Sequence, residues 1–226
     1  MMTKLRAITI AFFSCLFVLC AAASPASAQT YDISSGGTPT ITGSLGGSVT
    51  GTSDVTQALV VTVNFGEVSP ANTNNVVKVV VPISIRSTGP YEVAVSMAGT
   101  FNANLQAVQR SDIGFGARNL RAMGNNSRVC TRSQHLFRAP FNNDPSANIS
   151  LDANGRTAYP STLASITAGT VILSGPRLTQ GNINNNQTTN GYIFDAVLTI
   201  RPQFYAFGTF SATITFTISD GPNAPC

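Results

Sequence analysis

Tryptophan is absent from the 226 residues, histidine occurs once, and Asp, Glu, Lys and Arg together make up only 10% of the chain. Each shortage narrows the function. A lone imidazole, His135, cannot build a zinc site, and as a general base it would need an acid and a nucleophile that no motif supplies. G-x-S-x-G does not occur, so an elbow-type serine hydrolase has no support. The 9 acidic residues are scattered singly and form no carboxylate pair. Heptads and internal repeats are missing too. These shortages predict a protein that is not an enzyme and carries no cofactor.

Long apolar runs are also scarce, with one exception at the N-terminus. Lys4 and Arg6 precede "AITIAFFSCLFVLCAAA", and "SPASA" follows with small residues at Ala26 and Ala28. That order predicts a secretory signal over residues 1–28, cleaved before Gln29. The run is shorter than the roughly 20 residues a spanning helix needs, so no membrane span is expected once the signal is removed. A lipoprotein reading through Cys20 is opposed by the bulky Leu19 before it. The expected location is secreted: periplasmic, extracellular or on the cell surface. Of four cysteines, Cys15 and Cys20 leave with the signal, and Cys130 and Cys226 form an even pair in an oxidising compartment. A disulfide between them is expected to stabilise by about 4 to 5 kcal/mol on the chain-entropy argument. The charge balance, 13 basic against 9 acidic residues with Lys4 and Arg6 in the signal, is too mild for a nucleic-acid partner.

What the chain does contain is alternation. Leu59, Val61, Val63 and Phe65 share one face of a strand, as do Val77, Val79, Val81, Ile83 and Ile85 of the next. Tyr91, Val93, Val95 and Met97 follow after the reversal "STGP". Pro82 lacks a donor and predicts an edge or a bulge. Near the C-terminus, Phe194, Ala196, Leu198 and Ile200 alternate, then Phe210, Ala212, Ile214, Phe216 and Ile218, with Ser and Thr on the other side. "GTVILSG" is a shorter candidate. Thr, Ser and Asn solvate outer faces where a helical protein would use Glu and Lys. The expected fold is all-β: an antiparallel two-sheet sandwich, immunoglobulin-like, with an elaborated loop region at about 100–160. In that region "IGFGARNLRAM" and "SRVCTRSQHLF" are strand-like, and "PSTLASI" predicts one helical turn capped by Ser161. Residues 29–54 are an N-terminal extension or a first strand, and residues 55–226 form the sandwich domain.

Three stretches are candidates for recognition. Thr38 to Thr52 places Ile41, Leu45 and Val49 at even spacing with Gly43 and Gly47 between them. It is either the first strand of the chain's own sheet or a strand lent to a neighbour. Arg110, Arg118, Arg121, Arg128, Arg132 and Arg138 crowd a span in which only Asp112 offsets them. They form either a face for an anionic ligand such as a glycan or an ordinary solvated strand face. Asp144, Asp152 and Asn154 offer oxygen donors for calcium, but they match no EF-hand and are also ordinary turn residues.

"VNFGEVSP" followed by "VVKVVVPISIRSTGPYEVAVSMAG" resembles the secreted pilin-like β-sandwich proteins, the spore-coat-U and chaperone–usher fimbrial group. The shared positions are Phe65 and Gly66, then Gly89, Tyr91 and Val93, and "FGTFSATITFTIS" resembles that group's final strand. The sequence departs from the group in having no cysteine on either side of "FG" and in continuing past its last strand as "DGPNAPC". The resemblance implies a sandwich lacking one strand, which the N-terminal extension of the next subunit supplies. The function expected is an exported structural or adhesive cell-surface protein, a fimbria-like subunit joined to itself or to other surface subunits by β-strand addition. The alternative is a monomeric secreted binding module for a glycan or other anionic ligand.

Overall fold

The computed structural model describes residues 31–43, 48–51, 57–68, 76–98, 108–123, 130, 132–179, 191–201, 208–222 and 224. Among these residues, thirteen strands run in the order β1 (Tyr31–Ser35), β2 (Thr40–Thr42), β3 (Ser48–Gly51), β4 (Ala58–Val68), β5 (Val77–Ser87), β6 (Tyr91–Ala98), β7 (Ile113–Ala122), β8 (Leu136–Phe137), β9 (Ser150–Leu151), β10 (Thr157–Ala158), β11 (Thr170–Gly175), β12 (Tyr192–Ile200) and β13 (Gly208–Asp220). The first sheet has the order β1-β5-β12-β7, with β2 also on β5. The second has the order β3-β4-β13-β6-β11-β8. All pairings are antiparallel, and β9 and β10 form a separate ribbon. The protein is the all-β two-sheet sandwich that the alternation predicts.

The core lies between the sheets and is built by the period-two residues. Leu59, Val61, Val63 and Phe65 of β4 are buried, as are the five odd-numbered apolar residues of β5 from Val77 to Ile85. Phe216 of β13 reaches across to Phe115 and Phe194 of the first sheet, with ring centroids 6.4 Å away in each case. Tilted or edge-on rings at that spacing are favourable beyond the area they bury. On the outer side of the second sheet, Thr62 and Thr213 face each other with their hydroxyl oxygens 3.0 Å apart.

Pro82 sits where its missing donor costs least. Among the described residues, β1 pairs with β5 from Ile83 onward and β2 from Val80 downward, so Pro82 lies opposite the break between them. Gly36 N–H donates to the Pro82 carbonyl across that break. The expected bulge is therefore in the partner strand.

The region expected to be irregular is more ordered. Among the described residues of that region, β7 is a full strand of the first sheet, and the stretch from about 138 to 166 is loop-like. That stretch covers the outer face of the first sheet, which explains why Val197 and Thr199 are buried although they point away from the core. Gly114 and Gly116 make the cover possible: a Cβ at Gly116 would strike the Asn143 carbonyl and Pro145, and one at Gly114 would meet Pro145, Thr199 and Tyr159. The cover also closes the β7 edge. Phe141 and Ser161 carbonyls accept from Ala117 and Phe115 N–H, and Phe141 packs edge-on against Phe115. The helical turn falls at Leu163–Ser165 behind Thr162. Ser161 does not cap it, because the N-cap position falls at Thr162, one residue later, and the Ser161 hydroxyl donates to the Phe115 carbonyl. "SRVCTRSQHLF" is less regular than a strand, giving a 3-10 turn at Arg132–Gln134 and then the two residues of β8.

Filling the space above Gly116 should pry off this cover. Gly116→Val is expected to cost about 1 to 3 kcal/mol and to make residues 138–166 protease-sensitive. Gly155→Ala, at a positive φ but with open space around it, should lower the melting temperature slightly and leave the proteolysis pattern unchanged.

Candidate functional site

The N-terminal arm comprises β1, β2 and β3, which serve as edge strands of both sheets. β1 and β2 lie along β5 as one interrupted strand, after which the chain turns at Gly43 and β3 pairs with β4 in the other sheet. Gly43 has φ +105, a conformation that L side chains rarely adopt, and a Cβ there would stand 2.8 Å from the Val76 carbonyl oxygen. Thr38 to Thr52 is thus divided between two sheets. Ile41 and Val49 are partly buried and pack against the core, while Leu45 lies outside the described residues, as does Gly47.

The most deeply set part of the arm is β1, which the alternation did not single out. Ile33 is fully buried, Tyr31 nearly so, and β1 lies against β4 and β13 across the core. The Tyr31 hydroxyl sits 2.9 Å from Asp220 Oδ1 at the end of β13 and 3.2 Å from the Pro90 carbonyl. Burial first, then Asp220, pushes the Tyr31 phenol up to about 12. Between these two apolar anchors, Asp32 pairs with Arg86 of β5, Nη1 to Oδ2 at 3.1 Å, with both side chains buried. Burial raises the pKa of the Asp32 carboxyl, and the Arg86 charge lowers it less.

The described arginines are spread over several elements. Arg118 and Lys78 both engage Asp144, which lies over the outer side of the first sheet and ties β7 to β5 across β12. Burial pushes the Asp144 carboxyl up, but hydrogen bonds from Lys78 and Ser146 and the Arg118 charge together hold it below its ordinary value. Arg121 pairs with Asp195 at 2.8 Å, and Asn119 donates to the same carboxylate. Arg138 lies on the other sheet, where it donates to the Ser174 hydroxyl. Arg110 belongs to the 3-10 turn Arg110–Asp112, and Asp112 is paired with Arg156. Arg128 and the Arg132 side chain lie outside the described residues. Sequence reasoning could not see that the offsetting acids arrive from positions 144 and 195.

Asp144, Asp152 and Asn154 do not converge either. Asp144 is held by its cations, and Asp152 accepts from the backbone N–H of Asn154 and Arg156 in a local turn. Among the described residues, no cluster of three or more metal-ligating His, Cys, Asp or Glu side chains is present.

His135 is packed among aromatic rings. Its Nδ1 lies 3.2 Å from the Tyr91 hydroxyl, its ring centroid is 5.2 Å from that of Tyr192, and Gly175 leaves room for it. Nε2 is buried and has no hydrogen-bond partner among the described residues. Desolvation lowers its pKa to about 4. Cys130 lies close by, its carbonyl 3.4 Å from the Tyr192 hydroxyl, and its side chain is buried. Cys226 lies outside the described residues. No known protein family, curated protein or solved structure matches the chain.

His135 sets a pH dependence whose sign is fixed. The folded state holds the imidazole neutral, whereas the unfolded chain protonates it near 6.5, so stability is full above pH 6.5 and declines as pH falls toward 4. The loss should reach about 3 kcal/mol at most. Asp32, with its raised pKa, works in the opposite direction. The diagnostic is therefore the difference between wild type and His135→Gln: the melting temperature of the variant should fall less between pH 6.5 and 4. Parallel curves would mean that His135 is not buried neutral.

Proposed function

We propose that the chain is an exported structural or adhesive subunit of a cell surface, joined to its neighbours by exchange of the N-terminal arm. One observation carries this reading. Among the described residues, the arm's strand pairing lies along sheet edges, in strands of five, three and four residues, and it delivers Tyr31 and Ile33 into the core. A short edge strand with apolar plugs and a glycine hinge is what β-augmentation uses: main-chain hydrogen bonds supply affinity and alternate side chains supply fit. The leader-like residues 1–28 support export. A monomeric binder of anionic glycans is the weaker reading, because Arg118 and Arg121 are already neutralised by Asp144 and Asp195.

The test compares the exported chain with a version beginning at Asp54. The exported chain should form oligomers that dissociate on heating. The shortened one should form none, and its melting transition should be weakened and then restored by a peptide of residues 29–51. A full-length chain that stays monomeric at all concentrations would overturn the proposal.

A Cys130–Cys226 disulfide belongs to the same reading. The end of β13 is already held beside Tyr91, through Gly221 N–H to the Pro90 carbonyl. Tyr91 in turn meets His135, close in sequence to Cys130. The denatured, unreduced protein should show no titratable thiol; finding two would exclude the bond.

A further inference from the structure

The ladder between the arm and β5 joins opposite charges at one rung. Tyr31 and Ile33 face the core, opposite Ser87 and Ile85, and between them Asp32 stands opposite Arg86. The Asp32 side chain is 1% exposed and that of Arg86 is 7% exposed. Among the described residues, a single contact joins them, and Asp32 Oδ1 and Arg86 Nε have no hydrogen-bond partner. The stem of Arg86 passes over Gly191, where a Cβ would lie 2.8 Å from Arg86 Cγ.

Such a pair is a poor stabiliser. Two ions removed from water regain their hydration only when the remaining lone pairs and N–H groups are also satisfied, and here they are not. The raised pKa of Asp32 says the same, since burial outweighs the attraction of Arg86. An apolar pair of similar volume would hold the two strands at least as well. What the pair does well is discriminate. A docked strand without the carboxylate leaves a guanidinium buried and unpaired. A strand slipped by one residue turns Asp32 into the core and Ile33 out of it.

We propose that Arg86 is a selectivity filter for the strand that docks on β5: it admits a strand bearing a carboxylate at the Asp32 position, so that donor and acceptor are two copies of this chain. The inference rests on the arm-exchange reading above and adds to it the identity of the partner and the residue that reads it.

The test uses two exported chains, one carrying Asp32→Arg and the other Arg86→Asp, each purified alone and then unfolded and refolded together. Alone, each presents like charges at the rung and should need at least about a hundredfold higher concentration to assemble. Mixed, each arm meets the complementary edge of the other chain. Assembly should return with the two chains alternating, seen as equal stoichiometry by native mass spectrometry. If the single variants assemble as the wild type does, Arg86 selects nothing and the filter is refuted while arm exchange stands. If the mixture stays inert and a chain with both substitutions melts like wild type, the pair acts within one chain, and exchange falls together with the filter. Should neither reversal fold even when mixed, Asp32→Asn is refolded in competition with wild type. The proposal requires the variant to be underrepresented as a donor by about tenfold, and equal incorporation would overturn it.

Discussion

A sandwich of two open sheets has four edges, and the unsatisfied backbone along them constrains this structure more than its core does. The core follows directly from period-two alternation, but an open edge is a template for another chain. Each edge here is finished by something other than a long regular strand. The arm closes β5 in the first sheet and β4 in the second. On the far side of the first sheet, the carbonyls of Phe141 and Ser161 accept from β7, and on the far side of the second sheet the two residues of β8 lie on β11. The β7 closure depends on two glycines that let a loop lie flat on the sheet. The arm is a different kind of closure, because a hinge with a positive φ connects its two halves and its pairing is confined to edges.

The electrostatics follow from the same geometry. Covering the outer face of the first sheet buries positions that alternation assigns to solvent, and the few charged residues there must find partners. Asp144 spans Lys78 and Arg118, and Asp195 holds Arg121. A sequence this poor in charge leaves little to spare for a separate ligand face once these pairs are made. Asp32 and Arg86 differ in degree: among the described residues, atoms of both partners lack a hydrogen bond, whereas in the Asp144 pairs only Arg118 Nε does. An incompletely satisfied ion pair on the most deeply buried part of the arm makes better sense as a test of strand identity than as a support.

What the sequence made legible is what local periodicity can encode. Leu59 to Phe65, Val77 to Ile85 and Ala212 to Ile218 face inward because each strand repeats every two residues and its pattern needs no knowledge of its neighbours. Long-range facts were hidden. Val197 and Thr199 lie on the polar-predicted side of β12 and are buried only because residues some fifty positions earlier fold over them. The acids that neutralise the arginines lie beyond the window in which charge was weighed. β1 fell inside residues 29–54, read as an extension or first strand, but was not singled out, because "YDISS" puts a carboxylate between its two apolar residues and nothing local shows that Arg86 stands opposite it.

The arm's energetics therefore divide into two parts with different roles. Tyr31 and Ile33 supply affinity through burial, on the order of 1.5 to 3 kcal/mol for a fully buried aliphatic side chain, and any apolar strand of the right length could match that. Main-chain pairing is equally indifferent to sequence. Discrimination must come from a group whose absence is costly, and a carboxylate facing a buried guanidinium is such a group. An edge closed by a strand exchanged between copies, as proposed above, would need such a device, because an open edge that accepts the correct strand would otherwise accept any strand that reached it.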